Sequence, residues 1–254
     1  MEKSIFNFKI LYKDGSMIDL QEDKNLWVSS FRIHSPSFET AIETIEGRHG
    51  EILLAKRLTG RKITTHYQIE AVDEKDFDLF RDEIYSIFNP LQEFYIIRDL
   101  QQGKRIKVSV ANNFDIDYIT LEDGEFSVEF IIHSVFIESV NKIEYPFNTN
   151  FSFNNIGNVL IDMREQSETE IEFKGASTNL VIKNLTTGDE WKYTGSTTSN
   201  DLILLKGIRS TKNGLSIIKN TNKRIITFAP GWNDFEILGA TNYTLTIKTR
   251  FYFI

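Results

Sequence analysis

Cysteine is absent from the 254 residues, which excludes disulfide bridges, thiolate metal sites and any thiol nucleophile. Stability must then come from packing and strand pairing. Proline is scarce, at 4 residues, and no Pro-, Gly- or Ser-rich stretch marks a linker, so a junction between domains is expected to be short and ordered. No run approaches the roughly 18 consecutive apolar residues of a membrane-spanning helix, and the first residues show no signal-peptide h-region. We therefore expect no membrane insertion, and synthesis in a cytoplasm. An excess of positive charge is also missing. The formal net charge is −7 and the pI about 5.3, whereas binding to nucleic-acid phosphates needs clustered Lys and Arg. No sequence-specific nucleic-acid binding is expected, although an acidic wall could line a conduit for DNA without trapping it.

The chemistry-bearing motifs are missing too. His34, His49, His66 and His133 lie far apart without metal-ligand spacing, and no Gly-x-Ser-x-Gly elbow occurs. His133, inside an apolar run, reads as a hydrogen-bonded, partly buried side chain. Glu165 to Glu170 and Gly188-Asp189-Glu190 offer carboxylates for glycoside hydrolysis, but charge runs usually form solvated loops. Asp115-Ile116-Asp117 and Glu122 to Glu125 depart from the EF-hand pattern, and the latter reads as a turn between strands. We expect no enzyme, no cofactor and no bound metal.

What is present is apolar surface: 41% hydrophobic residues, 13% aromatics and 20 Phe, enough for two cores in a chain of this length. Most segments read as strands. Ile5 to Tyr12 and Met17 to Leu20 flank the Asp14-Gly15 turn signal, and Trp27–Ile33, Ile63–Glu70, Phe94–Arg98 and Arg105–Val110 follow, with Phe126 to Ile137 as one long central strand. Phe38 to Leu54 suits a long hairpin or arm whose reversal uses Gly47 and Gly50. The one helix is expected over about 73–88: Asp73 is an N-cap candidate, Phe77, Phe80, Ile84 and Ile87 repeat at helical spacing, and Asn89-Pro90 stops it. Between Ser139 and Phe153 the alternation fails, which we read as the junction between a domain at 1–140 and one at 141–254. Beyond it, short β runs such as Ile171–Phe173, Asn179–Ile182, Leu202–Leu205 and Tyr243–Ile247, separated by turn signals, indicate a β-sandwich.

This order of strands, Gly-bearing arm, single helix and all-β module resembles the distal tail (Dit) family of siphophages. The likeness is carried by Ile45-Glu46-Gly47-Arg48-His49-Gly50-Glu51-Ile52-Leu53-Leu54, by Arg61-Lys62-Ile63, by Phe77 to Arg98, and by Phe153 to Asn158 with Leu202 to Gly207 and Phe228 to Asn233. The resemblance implies an N-terminal tail-tube-like β domain, a C-terminal galectin-like β-sandwich, and a homo-hexameric ring at the virion tail tip. Such a ring, made in the bacterial host cytoplasm, would join tail tube to tail-fibre or receptor-binding proteins and leave a channel for DNA.

Two sets of residues are candidate contacts. Ile45, Gly47, Arg48, Gly50, Ile52, Leu53 and Leu54 would form an inter-subunit arm, because an exposed apolar hairpin needs a neighbouring subunit to cover it. Trp191 and Trp232 could stack on a sugar ring, which would suit an alternative role as a carbohydrate-binding adhesion module for cell-wall polysaccharide.

Overall fold

The computed structural model describes residues 3–166 and 168–254. Met1, Glu2 and Ser167, the last within the acidic run, lie outside the described residues. The chain divides into two compact units, Met1–Ile137 and Glu138–Ile254.

The first unit contains β1 (Phe8–Leu11), β2 (Met17–Asp19), α1 (Leu20–Lys24), β3 (Trp27–Ile33), β4 (Ser37–Glu43), β5 (Ile52–Glu70), α2 (Glu74–Ile87), β6 (Phe94–Arg98), β7 (Lys104–Val110), β8 (Asp117–Tyr118) and β9 (Asp123–Ile132). Its sheet runs β2-β1-β6-β7-β9-β5-β3, with β8 added at β9 and β4 at β5. Helix α2 forms for the reasons its sequence suggests. The Asp73 side chain accepts from the Lys75 and Asp76 amides, and Phe77, Ile84 and Ile87 are buried. Capping of this kind contributes about 1 kcal/mol, while the buried stripe fixes the docked face.

The core beneath α2 is aromatic. Tyr67 stacks on Phe126 at 4.6 Å between centroids, and Phe88 contacts Tyr67, Phe126 and Phe130. The Tyr67 hydroxyl is not orphaned, because it is hydrogen-bonded to the Thr65 hydroxyl at 2.8 Å. Burial nevertheless pushes its pKa well above the ordinary tyrosine value.

Two expectations for this unit need correction. Met17 to Leu20 is not wholly strand: Asp19 ends β2 and caps α1, accepting from the Gln21 and Glu22 amides, while Leu20 turns into the core. Nor does the strand from Phe126 continue to Ile137. β9 stops at Ile132, Val135 adopts a left-handed φ of 65°, and His133 is exposed in the intervening turn, its Nε2 3.0 Å from Ser109 Oγ.

After β10 (Ile137–Ser139), the second unit has β11 (Ile143–Phe147), β12 (Phe151–Asn155), β13 (Ile161–Asp162), β14 (Glu170–Asn184), β15 (Asp189–Lys192), β16 (Ser196–Thr197), β17 (Leu202–Lys206), β18 (Arg209–Lys212), β19 (Leu215–Ser216), β20 (Thr227–Phe228), β21 (Gly231–Thr249) and β22 (Tyr252–Phe253). The segment read as a junction, Ser139 to Phe153, is mostly strand: β11 and β12 both pair with β21. Pro146 is accommodated because β11 is an edge strand.

The runs read as separate short strands are joined. Ile171–Phe173 and Asn179–Ile182 belong to one strand, β14, and Tyr243–Ile247 belongs to the 19-residue β21. Register shifts near Gly175 and Ser177 mark bulges between the two strands. Gly239 supplies the bend on β21, with φ 82° and a space in which a Cβ would lie 2.5 Å from Thr178 O. Each half of the long pair then carries its own neighbours, β11 and β17 on one half, β12 and β15 on the other. Bulged strands of this kind make the corners of β-sandwiches.

Candidate functional site: a protruding hairpin

Strand β5 is 19 residues long and lives in two environments. From Arg61 to Glu70 it is flanked by β9, and from Ile63 to Gln68 by β3 as well. From Ile52 to Gly60, among the described residues, it pairs with β4 alone. The hairpin is anchored at its base, where His34 N donates to Lys62 O at 2.9 Å and Arg61 Nε donates to His34 O at 2.6 Å. Burial lowers the Arg61 pKa. Past this anchor every residue of β4 is exposed.

Strand alternation sorts the hairpin into two faces. On one, Phe38 lies opposite Leu58, Thr40 opposite Lys56 and Ile42 opposite Leu53. Lys56 Nζ sits 4.0 Å above the Phe38 ring, which confirms that the two share a side. On the other, Glu39 and Arg57 form an ion pair at 2.6 Å. A register shift after Ala41 leaves Leu54 as the extra residue of a bulge. The reversal at the tip uses Gly47 at φ 79° and Gly50 at φ 85°, conformations that residues with a Cβ adopt rarely.

The apolar face is uncovered: Phe38, Ile42, Leu53 and Leu54 are 57%, 50%, 61% and 59% exposed. Bringing a Leu or Ile from such exposure to full burial contributes on the order of 1 kcal/mol each. Of the residues anticipated from sequence, Ile45, Leu53 and Leu54 are exposed, Arg48 is exposed in the turn, and Ile52 is half-buried. Phe38, Ile42, Lys56 and Leu58 complete the face. Their alternate spacing on β4 and β5 is the signal that would have found them.

The two tryptophans part company. Trp191 is 1% exposed and its indole Nε1 donates to Ser210 Oγ at 3.2 Å, so it is a core residue with no face for a sugar. Trp232 is 65% exposed and pairs across the sheet with Asn154. The acidic run is less solvated than expected: Glu170 accepts from Lys206 at 2.6 Å and lies near Lys142, while Glu168 accepts from Arg250 Nε at 2.6 Å. Burial pushes the Glu170 pKa up, but the two lysines outweigh it and hold the carboxyl below its ordinary range. Among the described residues no group of three or more His, Asp or Glu is placed to hold a metal ion, and no helix is long and apolar enough to cross a membrane.

Residues 13–132 match the model of the phage tail protein RIFT-related domain family. No curated protein matches the chain. Among solved structures, the Dit protein of phage SPP1, described as a hub adsorption apparatus of phages infecting Gram-positive hosts, is similar over 96% of this chain and 99% of its own, with a TM-score of 0.72 at 16% identity. A chain of the phage P2 baseplate aligns over 97% of this chain and 98% of its own, but at a TM-score of 0.41 and 11% identity, too divergent to add to the assignment. The tail-protein domain family thus matches residues 13–132, and the fold along almost the whole chain is similar to that of the SPP1 distal tail protein.

Proposed function

We propose that this protein is the hub of a long-tailed phage's tail tip: a non-enzymatic virion component, made in the host cytoplasm, whose copies close into a hexameric ring. The ring links the tail tube to the receptor-binding apparatus and leaves a channel for DNA. The observation that carries the reading is the hairpin of β4 and β5, an apolar face held out from a tail-protein domain. A monomeric protein gains nothing from such a face and risks aggregation by it, whereas a neighbouring subunit would bury it. Point-group closure then follows if the rotation relating successive copies divides a full turn. In this reading residues 1–140 make the ring and 141–254 adapt it to its neighbours. The net charge of −7 suits a channel through which a polyanion passes without binding. Negative-stain imaging of the purified chain tests the proposal. Annular particles with sixfold symmetry are expected, and particles of single-chain size at every concentration would contradict self-driven ring closure.

A further inference from the structure

The end of β5 remote from the hairpin borders a groove of about 430 Å³, lined by Trp27, Gln68, Ile69, Glu70, Ile119 and Asp123. Its volume lies within the range of pockets that enclose several apolar groups. Trp27 is half-buried on the edge strand β3. At the rim, the tight turn closed by Ile119 N donating to Asp123 O leaves Tyr118, Ile119 and Leu121 57%, 56% and 65% exposed. Glu70 and Asp123 face each other across the β5–β9 ladder, an arrangement of like charges that destabilises a sheet unless a cation joins it. Among the described residues neither carboxylate has an ion-pair partner.

The hairpin offers the complement. Its apolar face carries Phe38, Ile42, Leu53 and Leu58 with a single charge among them, Lys56. We propose that this face seats in the groove of a second copy of the chain, its aliphatic side chains against Trp27 and Ile119 and its Lys56 ammonium between Glu70 and Asp123. The inference rests on the hub reading above and names the surface that receives the hairpin. A chain cannot fill its own groove: Leu53 and Ile69 stand on one continuous strand, about 50 Å apart along its contour. The contact is therefore head-to-tail, with hairpin and groove at opposite ends of the same strand, the heterologous type that propagates from copy to copy.

The absence of native cysteine makes the test direct, since any disulfide reports an introduced pair. Variants with Ile42→Cys, Leu53→Cys or Leu54→Cys would each be mixed with Ile119→Cys under mild oxidation, with light scattering in parallel. A cross-linked heterodimer is expected for at least one mixture. Lys56→Glu should reduce its yield at least about tenfold, and a Glu70→Lys, Asp123→Lys partner should restore it by reversing the charges. Multimers that form without any of these cross-links would overturn the docking while leaving the hub reading intact. A chain that stays monomeric and uncross-linked would overturn both.

Discussion

The two halves of β5 share one backbone and one secondary structure but differ in what surrounds them. In the inner half, Ile63, Thr65, Tyr67 and Ile69 alternate into the core while the residues between them face outward. In the outer half, apolar side chains are denser still, yet Leu53, Leu54 and Leu58 stay exposed. Hydrophobic content alone thus does not locate a core; strands on both flanks and a covering helix do. The inner half buries its apolar surface in folding, and the outer half leaves it exposed.

Truncation should separate the halves most strongly. Ile63→Ala, at a site with no exposure, should cost about 2–5 kcal/mol in chemical denaturation of the monomeric form. Leu53→Ala should stay within about 0.5 kcal/mol under the same conditions. Equal losses at both positions would dissolve the distinction between the halves.

A smaller effect, dependent on pH, is expected where β2 ends and α1 begins. Burial pushes the Asp19 carboxyl up, but hydrogen bonds from Lys3, the Glu22 amide and Asn7 outweigh it and hold the pKa below the ordinary carboxylate value. A depressed folded-state pKa contributes stability that is complete above the unfolded value of about 3.9 and lost as pH falls through the folded one. Lys3→Met leaves burial with less opposition, so its thermal midpoint should begin to fall at a higher pH than the wild type's during acid titration. Asp19→Asn should abolish that component. Superimposable titration curves for wild type and Lys3→Met would remove the ion pair from the account.

The smallest expected change concerns the tryptophans of the second unit. Trp232→Phe should leave stability within about 0.5 kcal/mol and remove much of the emission accessible to a soluble quencher. Trp191→Phe should leave that accessible fraction in place. If glycan binding is found and survives loss of Trp232, the sugar-stacking role falls with it.

The sequence was most informative where a local signal suffices. Trp27–Ile33 and Phe94–Arg98 are strands with the bounds expected of them, and Asp73, the Phe77–Ile87 stripe and Asn89-Pro90 define α2 from within its own span. The reversal at Gly47 and Gly50 was legible for the same reason. Less legible was anything that depends on partners distant along the chain. Ile171–Phe173 and Asn179–Ile182 were read as two strands because the close approach of β14 to β21 that Gly175 and Gly239 permit depends on residues far apart along the chain. Val135 gave no warning of its left-handed conformation, because β-branched residues rarely adopt one. Trp191 and Trp232 both lie on strands, β15 and β21, and only the assembled sheet decides which is covered. The hairpin was visible as a segment, but its apolar face emerges from the Phe38–Leu58 and Ile42–Leu53 register.

The central claim is that the outer half of β5 is an assembly contact. Light scattering during size-exclusion chromatography, comparing the wild type with Leu53→Asp over a concentration series, addresses it most directly. The account predicts a mass of about six chains for the wild type and a single-chain mass, with unchanged circular dichroism, for the variant. A variant that assembles as fully as the wild type would contradict it.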